Sequence, residues 1–236
     1  QGSGGSMSDG HLVEQGAIDV SHNVILYLEG ITVAFDGFKA LDDLSLSIDN
    51  GELRCIIGPN GAGKTTLLAA LSSLLDLDQG TAETWGRLGS LLGLDVAFHP
   101  DFTGRQNLRL LATVLGLDGR EFAAVIDEVV RVADMGDRID DASRTYSSGM
   151  RARLGVALVL VAGPELLLID EVLSVGDASF RKDAIARIRT LRQSGSTLLF
   201  VSHSLDLVAQ VCDVAVRMTH GEIVDAGATA VVVERY

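Results

Sequence analysis

The stretch Gly58–Thr66, "GPNGAGKTT", constrains this chain more than any other feature of its sequence. It follows the continuous apolar run "LRCII" and opens the helix-like run "KTTLLAALSSLL". A glycine-rich turn between a buried strand and a helix allows successive backbone N–H groups to converge on phosphate oxygens. The stretch therefore predicts a nucleoside triphosphate site within an α/β fold.

Each residue type in this turn has a separate predicted role. Lys64 supplies a point charge for the β- and γ-phosphates, Thr65 offers a hydroxyl to Mg²⁺, and Thr66 adds a phosphate contact. The residues predicted to surround the nucleotide phosphates are Gly58, Asn60, Gly61, Ala62, Gly63, Lys64, Thr65 and Thr66.

Two further polar clusters follow apolar runs that are typical of buried strands. "ELLLIDE" places Asp170 and Glu171 at the end of one run, and "LLFVSHS" places His203 at the end of another. Carboxyl ends of parallel strands meet at one sheet edge, so Asp170 is predicted to hold Mg²⁺. Successive strand residues point in different directions, so Glu171 is predicted to orient or deprotonate an attacking water. His203 is predicted to contact the γ-phosphate or that water.

The chain divides into a short leader and one large domain. Residues 1–6, "QGSGGS", have the composition of an expression-tag remnant, and the rest of 1–22 is predicted to be a loose leader. From 23 to 236 strand-like and helix-like runs alternate, which predicts a mainly parallel sheet with an antiparallel, strand-rich N-terminal part. Residues of about 98–162 are predicted to form a helical insert, because apolar residues recur there at three-to-four spacing.

The net charge of −13 argues against nucleic acid as the main partner and against broad adhesion to anionic lipid. No apolar run reaches the roughly 20 residues needed to cross a bilayer. The two cysteines, Cys55 and Cys212, lie in apolar segments. We expect buried thiols in a reducing compartment rather than a disulfide.

A second anion site is indicated by "RTYSSGMRAR", residues 144–153. It contains no nucleophile with a neighbouring base, yet Ser147, Ser148 and Gly149 open an apolar helix. The first N–H groups of a helix lack internal partners and attract anions. The phosphate cradle at Gly58–Thr66 already serves one nucleotide, so the residues alone do not say whose anion this second site would hold.

Along the chain the motifs occur in the order found in ATP-binding cassette (ABC) ATPases, which this sequence resembles from about Ile25 to the end. They are Gly58–Thr66, Tyr146–Met150, Leu166–Glu171, Ser174–Asp177 and His203. It implies an ABC-type P-loop NTPase fold and ATP hydrolysis with Mg²⁺. It also implies the roles of Walker A, signature, Walker B with catalytic Glu171, D-loop ending at Asp177, and switch histidine. Phe35 stands where the family has an aromatic that stacks on adenine; the alternative is an ordinary core Phe.

The resemblance implies whose anion the second site holds. In this family two cassettes face each other head to tail, and the signature helix of one meets the γ-phosphate bound by the other. The sequence departs from the common L-S-G-G-Q at three positions, where it has Tyr146, Ser148 and Met150. Ser147 and Gly149 remain, so an ATP-dependent homodimer is expected, without the polar contact of the fifth position.

These departures, with "IDEVLSVGD" and "FHPDFTGRQNL", resemble the ATPase subunits of polysaccharide exporters for O-antigen, teichoic acid or galactan. The resemblance implies a polytopic membrane permease as partner, a lipid-linked glycan as its cargo, and a peripheral position on the cytoplasmic face of the cell membrane. Some members carry a further carbohydrate-binding domain; we expect none after Tyr236. The alternatives are another ABC transporter, such as an importer, and a soluble ATPase acting on ribosomes or DNA.

One family feature is missing. A Gln that approaches Mg²⁺ usually ends a strand before the helical insert, but that place falls near Leu94, and Gln106 lies too far along. Asp95 is the nearest polar candidate, with a solvated loop Asp as the alternative. Residues 94–103 are expected to form the dock for the membrane subunit, with Phe98 and Phe102 exposed.

Overall fold

The computed structural model describes residues 14–16, 23–92, 98–170, 178–202, 205, 208–209 and 212–236. The strands are β1 Glu14–Gly16, β2 Val24–Phe35, β3 Phe38–Asp49, β4 Leu53–Ile57, β5 Gln79–Trp85, β6 Leu88–Ser90, β7 Leu166–Ile169, β8 Thr197–Val201, β9 Val214–Thr219 and β10 Glu222–Ala228. The helices are α1 Lys64–Leu71, α2 Gly104–Val114, α3 Gly119–Val132, α4 Ser148–Ala162, α5 Ala178–Gln193 and α6 Thr229–Glu234. Short 3₁₀ helices cover Gly136–Asp140 and Ser143–Thr145.

Two sheets organise these elements. The first joins described strands in the order β1-β5-β2-β3, and the long β2 and β3 pair antiparallel. The second has the order β10-β9-β4-β8-β7-β6 and is parallel except at β10. All residues of β7 and β8 are buried, which is typical of parallel strands covered on both faces. The predicted α/β fold, with a mainly parallel sheet and an antiparallel N-terminal part, is confirmed.

Helix starts in the insert follow from local sequence. Thr103 caps α2 and exchanges hydrogen bonds with Gln106, and Asp118 caps α3 in the same way with Glu121. In each pair the side-chain oxygens accept hydrogen bonds from two backbone N–H groups that would otherwise lack partners. Both patterns can be read from the sequence as a cap residue followed three positions later by Gln or Glu.

Among the described residues the apolar core has three parts. The first lies between the two sheets and includes Leu67, Leu68 and Leu71 of α1. The second covers the opposite face of the parallel sheet with α4 and α5. The third lies within the insert, among α2, α3 and α4. Because α1 is held in the first part, its N-terminus is fixed at the carboxyl end of β4.

The leader is more ordered than predicted at one point, because Glu14–Gly16 pairs parallel with Glu83–Trp85 of β5. Cys55 and Cys212 are buried and free, as predicted. A hydrogen bond with Cys212 and burial raise the pKa of the Cys55 thiol. Within the described residues, no helix combines the length and apolar composition required to cross a membrane.

Candidate functional site

A cleft of about 150 Å³ opens at the start of α1. No side chain caps this helix, so its first N–H groups face the cleft without a competing acceptor from the cap residue. The cleft residues are Asn60, Gly61, Ala62, Gly63, Lys64, Thr65, Thr66 and Val201. The structure therefore brings together most of the residues predicted to hold the phosphates, and it adds Val201 from the end of β8.

Gly63 shows why the turn is glycine-rich. It caps α1 with φ of +95°, a conformation that side chains disfavour. A Cβ at this position would lie 2.3 Å from the carbonyl oxygen of Ala40, in β3. The phosphate turn is thus packed directly against the antiparallel sheet, and any side chain at Gly63 would push the two apart.

Lys64 is buried and held over the turn. Its Nζ donates hydrogen bonds to the carbonyl oxygens of Gly58 and Pro59, at 2.8 and 2.9 Å. Burial lowers the pKa of the Lys64 ammonium, and the Asp170 carboxylate acts in the opposite direction. Asp170 follows β7 directly, so two predicted site residues from separate parts of the chain act on each other here.

Three predicted site residues lie outside the described residues: Glu171, Asp177 and His203. The neighbours of Glu171 and His203 are described. Asp170 precedes Glu171, while Val201, which lines the cleft, and the buried Ser202 precede His203. The roles of Glu171, Asp177 and His203 therefore remain predictions. Leu94 and Asp95 also lie outside the described part, so the candidate role of Asp95 near Mg²⁺ remains a prediction too.

Phe35 is not a core residue. It ends β2, pairs with Phe38 across the hairpin, and is 47% exposed. The core alternative considered for this residue is therefore wrong. Stacking of Phe35 on an adenine base remains a prediction.

The second predicted anion site is the N-terminus of α4. Ser147 is its N-cap, and the Ser147 hydroxyl accepts a hydrogen bond from the Met150 N–H at 3.2 Å. Ser147 and Ser148 are exposed, and the first turn contains no acidic residue that would neutralise the helix dipole. At Gly149 a Cβ would meet nothing closer than the Ser147 Oγ at 3.8 Å. This helix end is open to a ligand or a second molecule.

The predicted exposure of Phe98 is wrong. Phe98 is buried and packs in the apolar cluster of the insert, whereas Phe102 is 38% exposed and its ring lies 4.4 Å from that of His99. An aromatic near a proline in a polar segment can be buried or exposed. The position of α2 and α4 determines that Phe98 is buried. Gln106 is engaged in the capping of α2, which agrees with its exclusion from the metal site.

Sequence reasoning did not single out Asn107 and Ser143, and it considered Tyr146 only as a departure from the signature. All three are buried. Asn107 hydrogen-bonds within the segment that leads into α2, Ser143 joins that segment to the one before α4, and Tyr146 hydrogen-bonds within the latter. Apart from the Thr103–Gln106 capping pattern nearby, no sequence signal identifies them. A buried Asn and a surface Asn look the same in a polar stretch.

The donor set fits a nucleotide with Mg²⁺. The turn at Gly63 has no room for a side chain, Lys64 supplies a buried cation, and a Thr hydroxyl and a carboxylate are available as hard oxygen ligands. The described residues include no group of three His, Cys, Asp or Glu side chains suited to a metal ion. A cation held mainly by phosphates, with Thr65 and Asp170, matches this arrangement.

Comparison with known proteins agrees with this geometry. Residues 41–174 match the family model described as ABC transporter. The chain is 38% identical over 199 residues to the O-antigen export system ATP-binding protein RfbB of Klebsiella pneumoniae, across 84% of this chain and 81% of that protein. It is 36% identical over 199 residues to the teichoic acids export ATP-binding protein TagH of Enterococcus faecalis, of which it spans 44%.

Solved structures share the fold. An ATP-binding subunit of an ABC transporter superimposes with a TM-score of 0.80 at 21% identity, covering 89% of this chain and 92% of that one. A dimeric, post-hydrolysis ATP-binding cassette bound to ADP and phosphate gives a TM-score of 0.72 at 19% identity, covering 87% and 99%. At these identities the likeness is one of architecture.

Proposed function

The chain belongs to the ABC transporter family as an ATP-hydrolysing cassette, and from that premise we propose that it powers the export of a lipid-linked polysaccharide. It works at the cytoplasmic face of the cell membrane, as a pair of identical subunits bound to a polytopic permease. The observation that carries this proposal is the identity of 36–38% over 199 residues to export subunits for two different envelope polymers.

In this proposal the cleft at the start of α1 binds ATP. The turn at Gly58–Thr66 and the N-terminus of α1 take the phosphates of ATP, with Lys64 as the buried cation. Phe35, exposed at the end of β2, stacks on the base. Mg²⁺, held by Thr65 and Asp170, would neutralise charge that develops on the phosphates. Glu171 and His203 act on the attacking water and the γ-phosphate.

The N-terminus of α4 completes the site of the second subunit. It offers exposed N–H groups, the Ser147 hydroxyl and a helix dipole, with no base or nucleophile of its own. Such an end stabilises a phosphate without chemistry, which suits a nucleotide bound mainly by another molecule. A head-to-tail pair with ATP at both junctions uses both anion sites of each chain.

Gly149→Glu is expected to block the ATP-dependent dimer, because its carboxylate would meet the partner's γ-phosphate. Like charges in a closed interface cost several kcal/mol, so we expect the dimer dissociation constant to rise by about 100-fold or more. The space around Gly149 admits a side chain, so the monomer should fold normally. Sedimentation with MgATP, in a Glu171→Gln background that prevents turnover, measures the effect.

Gly119→Glu is the matched control. Gly119 is also in the first turn of a helix, and a Cβ there meets nothing within 4 Å, so the added charge is the same. This variant should dimerise like its parent. Dimerisation of Gly149→Glu with the parental constant would contradict the placement of α4 at a shared nucleotide site.

The export role is tested in cells. Deleting the gene should stop surface display of the glycan and leave lipid-linked polymer inside, and the chain should co-purify with a polytopic membrane protein. Expression of the parent should restore export, while Glu171→Gln should not. Normal glycans with defective solute uptake would favour an importer, and purification without any membrane protein would favour the soluble alternative.

A further inference from the structure

We infer that Asn107, Ser143 and Tyr146 are positioning residues that tie the segment 98–104 to the N-terminus of α4, so that the two move as one unit. The inference deepens the proposed function and rests on it, since it concerns the anion site offered to the second subunit. It assigns a role to three buried polar side chains that are not themselves predicted to bind phosphate.

Asn107 holds the segment before α2 in shape. Its Oδ1 accepts from the His99 N–H at 2.7 Å. Its Nδ2 lies 3.1, 3.2 and 3.0 Å from the carbonyl oxygens of His99, Phe102 and Thr103. The side chain is 1% exposed, so these bonds are made away from bulk water, where a missing partner is costly.

Ser143 joins that segment to the one that leads into α4. Its Oγ donates to the His99 carbonyl at 2.7 Å, and its N–H donates to the Phe102 carbonyl at 2.8 Å. The next residue, Arg144, donates its N–H to the Pro100 carbonyl at 2.9 Å. Three bonds within two residues thus lie between segments about 40 positions apart in sequence.

Tyr146 closes the unit immediately before the α4 N-cap. Its hydroxyl lies 2.5 Å from the carbonyl oxygen of Arg138 and 3.1 Å from that of Asp141. Burial raises the pKa of Tyr146, so its hydroxyl keeps its proton and donates. A Cβ on Gly104 would lie 2.6 Å from this oxygen, so the start of α2 is packed against it without spare room.

These hydrogen bonds are expected to make the segment 98–104 and the start of α4 move together. Ser147 follows Tyr146 directly, and the predicted permease dock, 94–103, contains the carbonyls that Asn107 and Ser143 bind. A displacement of 98–104 relative to Ser147 would therefore break several buried hydrogen bonds. The tyrosine that departs from the family's usual leucine holds its own segment through the carbonyls of Arg138 and Asp141, and its hydroxyl packs against Gly104.

Tyr146→Phe and Ser143→Ala test this with the whole purified chain. Each removes one hydroxyl and leaves the phosphate cleft untouched. A lost buried hydrogen bond corresponds to about a three- to tenfold change in an equilibrium constant. We expect the protein concentration that gives half-maximal specific ATPase activity to rise by that factor, with the plateau and the binding of a fluorescent ATP analogue to the dilute monomer unchanged. Thr113→Ala, which loses an exposed hydroxyl–carbonyl bond in α2, should match the parent.

The concentration dependence separates positioning from simple stability, because a loss of folded protein lowers the plateau in the same proportion as it raises the midpoint, whereas weaker pairing raises the midpoint and leaves the plateau unchanged. Two folded variants with the parental midpoint would overturn the inference, as would a lower melting temperature with no shift. A parent chain that neither dimerises with ATP nor hydrolyses it would contradict the proposed function itself, and the positioning role with it.

Discussion

Replacing Glu171 with Gln is expected to lower ATP turnover by about 10²–10⁴-fold, the usual cost of losing a general base. Nucleotide affinity should stay within about twofold of the parent. Gln has the size of Glu but cannot take a proton from water, and in the proposed site the phosphates are bound by Lys64 and the turn before it, which line the cleft without Glu171. Phosphate release at saturating ATP and equilibrium binding of a fluorescent analogue measure the two quantities.

Glu165→Gln supplies the control for this change. It is the same substitution at the other end of the same strand, where the Glu165 Oε2 accepts from the Arg87 N–H at 2.9 Å on the surface. Turnover should be unaltered. Activity of Glu171→Gln within a few-fold of the parent would show that another group handles the attacking water.

Phe98→Asp is expected to destabilise the chain by about 3–5 kcal/mol or more. Removing a buried Phe side chain costs this much through lost packing, and burying a carboxylate adds to it. For a chain of this size the loss corresponds to about 10 °C or more in melting temperature. Thermal unfolding followed by circular dichroism gives the value. We expect this loss of stability because Phe98 is buried in the apolar cluster of the insert.

Phe102→Asp is the companion variant. Phe102 is 38% exposed, so its loss should cost less than about 1 kcal/mol. It is also the aromatic that the fold leaves accessible in the predicted dock, so this variant, and not Phe98→Asp, should uncouple export while the purified chain keeps its ATPase activity. A stable Phe98→Asp protein would contradict the burial of that ring.

The turn that precedes α1 could be predicted because its conformation is specified locally. Gly58–Thr66 carries the whole turn in nine consecutive residues, and the conformation that Gly63 needs is available to almost no other residue type. The position of Asp170 could be predicted because a parallel strand delivers the residue that follows it to the same sheet edge as the turn. The helices of the insert followed from the spacing of apolar residues.

Side-chain direction in irregular segments could not be predicted in the same way. Phe98 and Phe102 are both aromatics near one proline, yet one is core and the other surface, because helices distant in sequence cover only one of them. The hydrogen bonds of Asn107, in α2, and of Tyr146, before α4, could not be predicted either. Their acceptors are main-chain carbonyls, which every residue has, so no residue pattern predicts the bond.

The sequence by itself thus determined the fold class, the glycine-rich turn before α1 and the helix that begins behind Ser147, since each depends on backbone conformations encoded by adjacent residues. The tertiary structure alone decided that Phe35 is exposed and Phe98 buried, and that the segment before α2 is hydrogen-bonded to the segment before α4. The physical reason is the sequence separation of the interacting residues. Turn and cap geometry is specified within a few residues, whereas burial and buried hydrogen bonds depend on which distant segments the core brings together.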